Sequence, residues 1–258
     1  MSFHSLKASG SSLKNIQFGI DAVAHNIANI NTTGFRKQQV SFESVVSGKG
    51  KSLGEGLSGT ALNALTTVFS QGGMKSTGLY SDLAIQGEGF FSLQNSAGDL
   101  VYSRAGHFLQ DSNGNLVDPA GNYVMSVNGD KVAVPVDASE IEITPLGEIF
   151  VGYGDVEGPQ YFDQIQLVSF ANPAGLMNIG SNNFKESLAS GTPNFGTAGQ
   201  AGTKTQQSVI VSGALELSNT NLSEGMTDMI AYQRSYQAVS RTSTTADEVL
   251  QTTINLAS

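Results

Sequence analysis

The sequence predicts an α+β chain in which long N- and C-terminal helices form a coiled-coil-like domain and a central, mainly antiparallel β domain lies between them. Three observations carry that prediction. All six prolines fall between Pro119 and Pro193, so the first 118 residues and the last 65 lack the residue that breaks helices. Apolar residues near both ends recur at steps of three, four and seven. Between the ends the pattern changes to short runs of β-branched and aromatic residues bounded by turn dipeptides.

Residues 1–34 are the first element, a helix whose seam is Leu6, Leu13, Ile16, Ile20, Val23, Ile27 and Ile30. It ends in Asn29-Ile30-Asn31-Thr32-Thr33-Gly34, where Gly34 is suited to the positive φ that stops a helix. Residues 35–82 read as a connector, because ten glycines between Gly48 and Gly89 favour extended, adaptable backbone over regular packing. Residues 83–187 form the β domain. Its strand candidates include Phe90-Phe91-Ser92-Leu93, Ile141-Glu142-Ile143 and Ile165-Gln166-Leu167-Val168, with turns at Asn113-Gly114 and Asn128-Gly129. Residues 188–221 are a return linker with a short strand at Val209-Ile210-Val211.

Residues 222–258 are a second long helix, opened by Asn221 three positions before Glu224 in the manner of a capping box. Its stripe is Leu222, Met229, Tyr232, Tyr236, Val239, Ala246 and Leu250, with Met226, Ile230, Val249 and Ile254 as a second apolar strip beside it. That arc is wider than one partner helix covers. Two outlets are open on periodicity alone: self-association of the paired helices, or packing of both on the β domain as a monomer core.

Composition narrows the partners. Thirteen Lys plus Arg against twenty-two Asp plus Glu give a net charge of -9, which repels nucleic acid and anionic lipid alike. The absence of cysteine leaves no thiolate ligand or nucleophile. The N-terminal residues lack a signal-peptide pattern, and no stretch approaches the ~20 apolar residues of a membrane span. Charged residues are only 14% of the chain, which suits lasting contact with neighbours.

The short chemical motifs fail on context. Gly54-Glu55-Gly56-Leu57-Ser58-Gly59 matches a dinucleotide fingerprint without the preceding strand or following helix, and Gly50-Lys51-Ser52 lacks the leading glycine of a phosphate loop because Val45 stands there. Asp111-Ser112-Asn113-Gly114-Asn115 resembles a calcium loop, but Leu116 and Asn122 occupy the positions of its glycine and bidentate glutamate. His4, His25 and His107 are scattered, and no G-x-S-x-G elbow is present. No catalytic residue, metal ligand, cofactor or small-molecule substrate is expected. A hydrolase using Asp82 or Glu88, and a ligand-binding module built on the β domain, are the rival readings.

The segment Asn26-Ile27-Ala28-Asn29-Ile30-Asn31-Thr32-Thr33-Gly34-Phe35-Arg36-Lys37 resembles the N-terminal signature of the bacterial flagellar rod and hook protein family. Asp82-Leu83-Ala84-Ile85-Gln86-Gly87-Glu88-Gly89-Phe90-Phe91 and Tyr102-Ser103-Arg104-Ala105-Gly106-His107-Phe108 are similar to its entry into the β domain. Phe170-Ala171-Asn172-Pro173-Ala174-Gly175-Leu176, Gly213-Ala214-Leu215-Glu216-Leu217-Ser218-Asn219-Thr220-Asn221-Leu222 and Met229-Ile230-Ala231-Tyr232-Gln233-Arg234-Ser235-Tyr236 resemble its return path and final helix. The resemblance implies a homopolymer: terminal helices lining an axial channel, the β domain outside them, and the stretch after Gly34 linking adjacent subunits. It also implies other rod and hook proteins, the flagellar type III export apparatus and an assembly cap as partners, and residence in the basal body or hook. The assembly interface is then expected at Leu6, Leu13, Ile16, Ile20, Val23, Ile27, Ile30, Leu222, Met229, Tyr232, Tyr236, Val239 and Leu250. Length favours a distal rod protein, while Val40-Ser41-Phe42-Glu43-Ser44-Val45-Val46-Ser47-Gly48 is closer to a short hook protein.

Overall fold

A computed structural model describes residues 2–46, 57–135, 138, 140–154, 158–199 and 208–257. Two compact units make up the chain: one of residues 1–30, 37–68 and 220–258, the other of residues 31–36 and 69–219. The chain thus passes between units four times, and the second unit is inserted within the first.

The first unit is helical with one hairpin. Helix α1 spans Ser2–Ala28 and helix α2 spans Leu222–Ala257, and they pack along one another. At the start of α2 the Asn221 side chain accepts from the Ser223 and Glu224 amides, capping donors that the helix leaves unpaired. Strands Gln38–Val46 and Leu57–Thr67 pair antiparallel and also lie against α1.

This hairpin corrects the expectation that the glycine-rich connector avoids regular packing. The glycines cluster away from Gln38–Val46, whose β-branched and aromatic residues Val40, Phe42, Val45 and Val46 favour a strand, and Leu57–Thr67 places its single Gly59 at one of the two register shifts in the ladder. The phosphate-loop fragment Gly50-Lys51-Ser52 and Gly54-Glu55-Gly56 of the dinucleotide match lie outside the described residues.

The second unit is built from antiparallel strands. The path of its largest sheet runs Met177–Gly180, Asn183–Lys185, Leu100–Ser103, Phe90–Gln94, Tyr123–Val124, Leu116–Val117 and Leu109–Gln110. Leu167–Ser169 joins it through Phe90–Gln94 and pairs with Asn194–Gly196. Glu140–Ile143, Glu148–Gly152 and Gln160–Gln164 form a three-stranded sheet. Two strands of the return segment pair back towards the start of the unit, Val209–Ser212 on Leu83–Gln86 and Ala214–Glu216 on Met74–Ser76.

Strand alternation sends neighbouring side chains into different cores. Phe91 joins the large aliphatic core with Leu83, Ile85, Leu93, Phe108, Ile149 and Ile165. Phe90 faces a second, aromatic core with Tyr102, Val168, Phe170, Leu176 and Phe184, where rings meet edge to face. The fold is therefore α+β and mainly antiparallel.

Candidate assembly interface

The expected interface residues divide by exposure. On α1, Val23 is buried and Leu13, Ile16, Ile20 and Ile27 are half-buried; Ile30, also half-buried, lies in the turn that follows the helix. On α2, Met229, Tyr232 and Val239 are half-buried, whereas Leu222 and Tyr236 are exposed. The side chains of Leu6 and Leu250 lie outside those described. The second strip is uncovered: Met226, Ile230, Val249 and Ile254 are 53–65% exposed, with Phe18 of α1 at 42%. Met226 and Ile230 lie one turn apart on one side of α2, whereas at roughly 100° per residue Val249 and Ile254 fall elsewhere around its circumference.

Two glycines that the heptad reading passed over govern how closely the helices approach. A Cβ on Gly19 would stand 2.8 Å from the ring of Tyr232, and one on Gly225 would stand 3.1 Å from Ile27. A glycine inside a helix costs roughly 0.5–1 kcal/mol relative to alanine, so its presence at both crossings signals a packing need. Burial beside α1, followed by the charge of Asp228, pushes the Tyr232 hydroxyl above its ordinary range. Nearby, a cavity of about 220 Å³ is lined by α1, α2 and the hairpin, including Ala22, Asn26, Lys37, Gln39 and Asp228.

The signature residues after the seam act on the backbone. Asn26 Nδ2 donates to the Gln38 carbonyl at 2.7 Å and its Oδ1 accepts the Gln38 amide at 2.8 Å, so one amide side chain stands in for a strand partner. Asn29 Nδ2 donates to the His25 carbonyl at 2.9 Å, adding a second bond to the carbonyl that accepts the Asn29 amide at 3.2 Å where α1 ends. In the β unit, Gly34 holds φ +67, and a Cβ there would lie 2.4 Å from the Ala105 amide nitrogen. Thr33 accepts at its carbonyl from Asn182 Nδ2, and Phe35 is buried.

A buried charge cluster, which the sequence reading quoted only within longer blocks, joins those blocks. Glu216 is fully buried; its Oε1 meets Arg36 Nη2 at 2.8 Å and its Oε2 meets Arg104 Nη1 at 3.4 Å. The same Oε1 accepts the Gly72 amide, and the Glu216 carbonyl accepts the Gly34 amide. Arg104 Nη2 continues to the Gly87 carbonyl at 2.7 Å. Gly87 and Gly89 take φ of 109° and 127°, which only glycine adopts readily. Burial pushes the Arg104 guanidinium down to about 10; Glu216 draws it up and Arg36 pushes it further down. Arg36 Nε and Nη1 and Arg104 Nε have no hydrogen-bond partner among the described residues, so one carboxylate serves two cations. The available signal was scarcity: in a chain with 14% charged residues, three of the quoted blocks each contain one of these charges.

The helical unit carries uncovered apolar side chains, and the β unit is tied internally by its buried charge cluster; both features are those of a structural subunit. Residues 6–36 match the family model described as flagella basal body rod protein. Residues 84–151 match the flagellar hook protein FlgE/F/G D1 domain, and residues 211–256 the C-terminal domain of flagellar basal body rod FlgEFG proteins. The flagellar basal-body rod protein FlgG of Bacillus subtilis is 38% identical over 98% of both chains, and that of Borreliella burgdorferi 34% over 93% of both. The flagellar hook protein FlgE of Brucella abortus is 37% identical over 52% of this chain and 34% of its own. The chain belongs to the FlgG family of flagellar basal-body rod proteins, which are structural and not enzymatic.

Proposed function

We propose that the chain is the subunit of the distal flagellar rod, polymerising into a hollow helical tube through its two terminal helices. The observation that carries this reading is the exposure of Met226, Ile230, Val249 and Ile254 on a helix that already packs along α1, which is more apolar surface than that one partner covers. Burial of such surface is favourable by roughly 25 cal/mol per Å². Docking of copies then covers it, together with Leu222 and Tyr236. In the polymer, residues 1–34 and 222–258 form a coiled-coil inner domain whose seam runs through Leu13, Ile16, Ile20, Val23, Ile27, Met229, Tyr232 and Val239. Residues 83–187 form the outer β domain, with 35–82 and 188–221 linking the two. Successive head-to-tail contacts that do not close a ring give an open filament. Other rod and hook proteins continue the tube, and the flagellar export apparatus and an assembly cap deliver and retain each subunit. The near-complete coverage of the FlgG relatives supports rod over hook, since the hook relative matches about half of the chain.

Sedimentation and circular dichroism of the full chain over a concentration series test this. Helix signal that rises with sedimenting polymer is the expected result. A compact helical monomer at every concentration, or normal motility with Ile20, Val23 and Leu250 all replaced by aspartate, overturns it.

A further inference from the structure

Among the described residues, five charged side chains are buried: Arg36, Asp82, Arg104, Asp118 and Glu216. Two of the three carboxylates are engaged elsewhere. His107 Nδ1 lies 2.7 Å from Asp82 Oδ1, and Asp118 accepts from the Ala120 and Asn122 amides and from the side chains of Asn122 and Asn183. Glu216 alone forms ion pairs with the two arginines among the described residues, so the cluster holds two positive charges against one negative.

Glu216 is also fully committed. Its Oε1 accepts from Arg36 Nη2 at 2.8 Å and from the Gly72 amide at 2.9 Å, while its Oε2 meets Arg104 Nη1 at 3.4 Å. Arg104 finds two neutral acceptors in the Gly87 carbonyl at 2.7 Å and the Ile85 carbonyl at 3.4 Å, and its guanidinium carbon lies 5.4 Å from the centre of the Phe90 ring. These contacts orient the guanidinium and soften its charge without cancelling it. Arg36 Nε and Nη1 and Arg104 Nε meet no acceptor among the described residues, although the two residues are only 3% and 5% exposed.

Buried donors are normally matched, and a buried charge needs an opposite one beside it. The charge of Glu88 also acts on Arg104, but Glu88 is exposed and stands outside the buried cluster. Burial pushes the Arg104 guanidinium down to about 10, and Glu216 offsets only part of that change.

Charge and packing together define what completes the cluster. A water would satisfy the donors and leave the excess charge, so the partner these donors call for is an anion; one unit of excess charge calls for a monovalent one. Packing nearby is close: a Cβ on Gly72 would stand 2.0 Å from the Leu217 carbonyl oxygen, and one on Gly34 would stand 2.4 Å from the Ala105 amide nitrogen. Such surroundings favour a small ion over phosphate, sulfate or an organic acid. A spherical ion also accepts N–H bonds from any direction, which suits two guanidinium groups already fixed by Glu216.

We infer that Arg36 and Arg104 bind a small monovalent inorganic anion of the halide class through the N–H groups that Glu216 leaves unmatched. With the anion bound, two cations face two anions. The effect falls on residues 31–36, because Arg36 belongs to that stretch and the Gly34 amide is bonded to the Glu216 carbonyl. The site lies wholly within the β unit and is independent of the helix docking proposed above.

Chloride is the probe. The full chain is unfolded in urea in sodium chloride or in sodium gluconate at the same ionic strength, so that general screening is constant, and the β-sheet signal is followed by circular dichroism. For one bound ion, the folding equilibrium constant is expected to grow about tenfold for each tenfold rise in chloride above its dissociation constant. Arg104→Met leaves one arginine facing one carboxylate, and in that chain the two salts are expected to give the same midpoint. Equal midpoints in the parent chain overturn the site, and so does a chloride effect of the same size in Arg104→Met, which would place the ion elsewhere. A second measurement needs no variant. Crystals of the parent chain soaked in sodium bromide are expected to show an anomalous peak within hydrogen-bond distance of Arg36 or Arg104. Density there without anomalous signal is water, and overturns the inference.

Discussion

The unit built from residues 1–30, 37–68 and 220–258 carries seven basic and seven acidic residues, whereas the unit built from residues 31–36 and 69–219 carries six and fifteen, so the entire net charge of -9 belongs to the second. The interiors differ as well. The β unit exposes Leu79, Leu146, Met177 and Ile179 but also encloses two cores, with Phe91 and Ile149 in one and Phe90 and Phe184 in the other, whereas on α2 Met226, Ile230, Val249 and Ile254 are exposed on a helix packed along α1. A neutral helical unit sets no net electrostatic penalty against the docking of copies proposed above. The β unit encloses its own interior, while in that proposal neighbours would cover the exposed side chains of the helix pair.

The sharpest break of this comparison is Glu216→Gln. Removing the carboxylate leaves Arg36 and Arg104 buried together without a counter-charge, a change that costs about 3–5 kcal/mol in comparable buried pairs. Urea unfolding of the full chain is expected to show the β-sheet signal lost at markedly lower denaturant. An unchanged midpoint would mean that the cluster contributes no stability. Gly34→Ala comes next. A side chain at φ +67 costs of order 1–3 kcal/mol, and the close approach to Ala105 adds to it, so the same transition should shift in the same direction by a smaller amount.

Asn26→Ala addresses the helical unit. It removes two hydrogen bonds to the Gln38 backbone, worth about 0.5–1.5 kcal/mol each, and is expected to lower helix signal while the β transition stays fixed. A shift of both transitions would show that the two units unfold as one. The smallest expected change in monomer stability, within about 0.5 kcal/mol, is for Ile230→Lys together with Val249→Lys on the exposed strip. Their polymer yield is nonetheless expected to collapse in sedimentation, which separates folding from association.

Alkaline pH sharpens the picture of the β interior. Burial, then the charge of Glu186, pushes the Tyr102 hydroxyl up from 10.0 to about 12. Between those values the folded state keeps a proton that the unfolded state has lost, so the contribution of Tyr102 is whole below pH 10 and is lost as pH rises through about 12. Arg104 works the other way: its folded guanidinium releases a proton near 10 and its unfolded one well above that, so its contribution grows as pH rises past about 10. Tyr102→Phe should therefore lose less stability than the parent chain between pH 10 and 12, as read by urea unfolding.

Periodicity made the two helices legible, since a seam such as Leu13, Ile16, Ile20, Val23 and Ile27 is written at the spacing of a helix and needs no distant partner to be seen. The antiparallel character of the centre was legible for the same reason. Other features depend on residues far apart in sequence. Glu216 meets Arg36 across 180 positions, and no local pattern reveals that one carboxylate serves two arginines. The hairpin of Gln38–Val46 with Leu57–Thr67 was concealed by nearby glycines that outweighed Val40, Phe42 and Val46 in a reading by composition. Gly19 and Gly225 gave no periodic signal, because what they supply is the absence of a side chain facing Tyr232 and Ile27.

The four passages of the chain between its units also set an order of events. Residues 69–219, nearly all of the β unit, are synthesised before the first turn of α2 exists, whereas α1 is among the first segments made and must wait for a partner beginning at Leu222. Closures inside the β unit are nearly as long, since Glu216 meets Arg36 across 180 positions, and closure cost grows only slowly with loop length. What the order of synthesis does set is the earliest time at which α1 can meet α2, and until then the neighbour available to α1 is the hairpin of Gln38–Val46 with Leu57–Thr67.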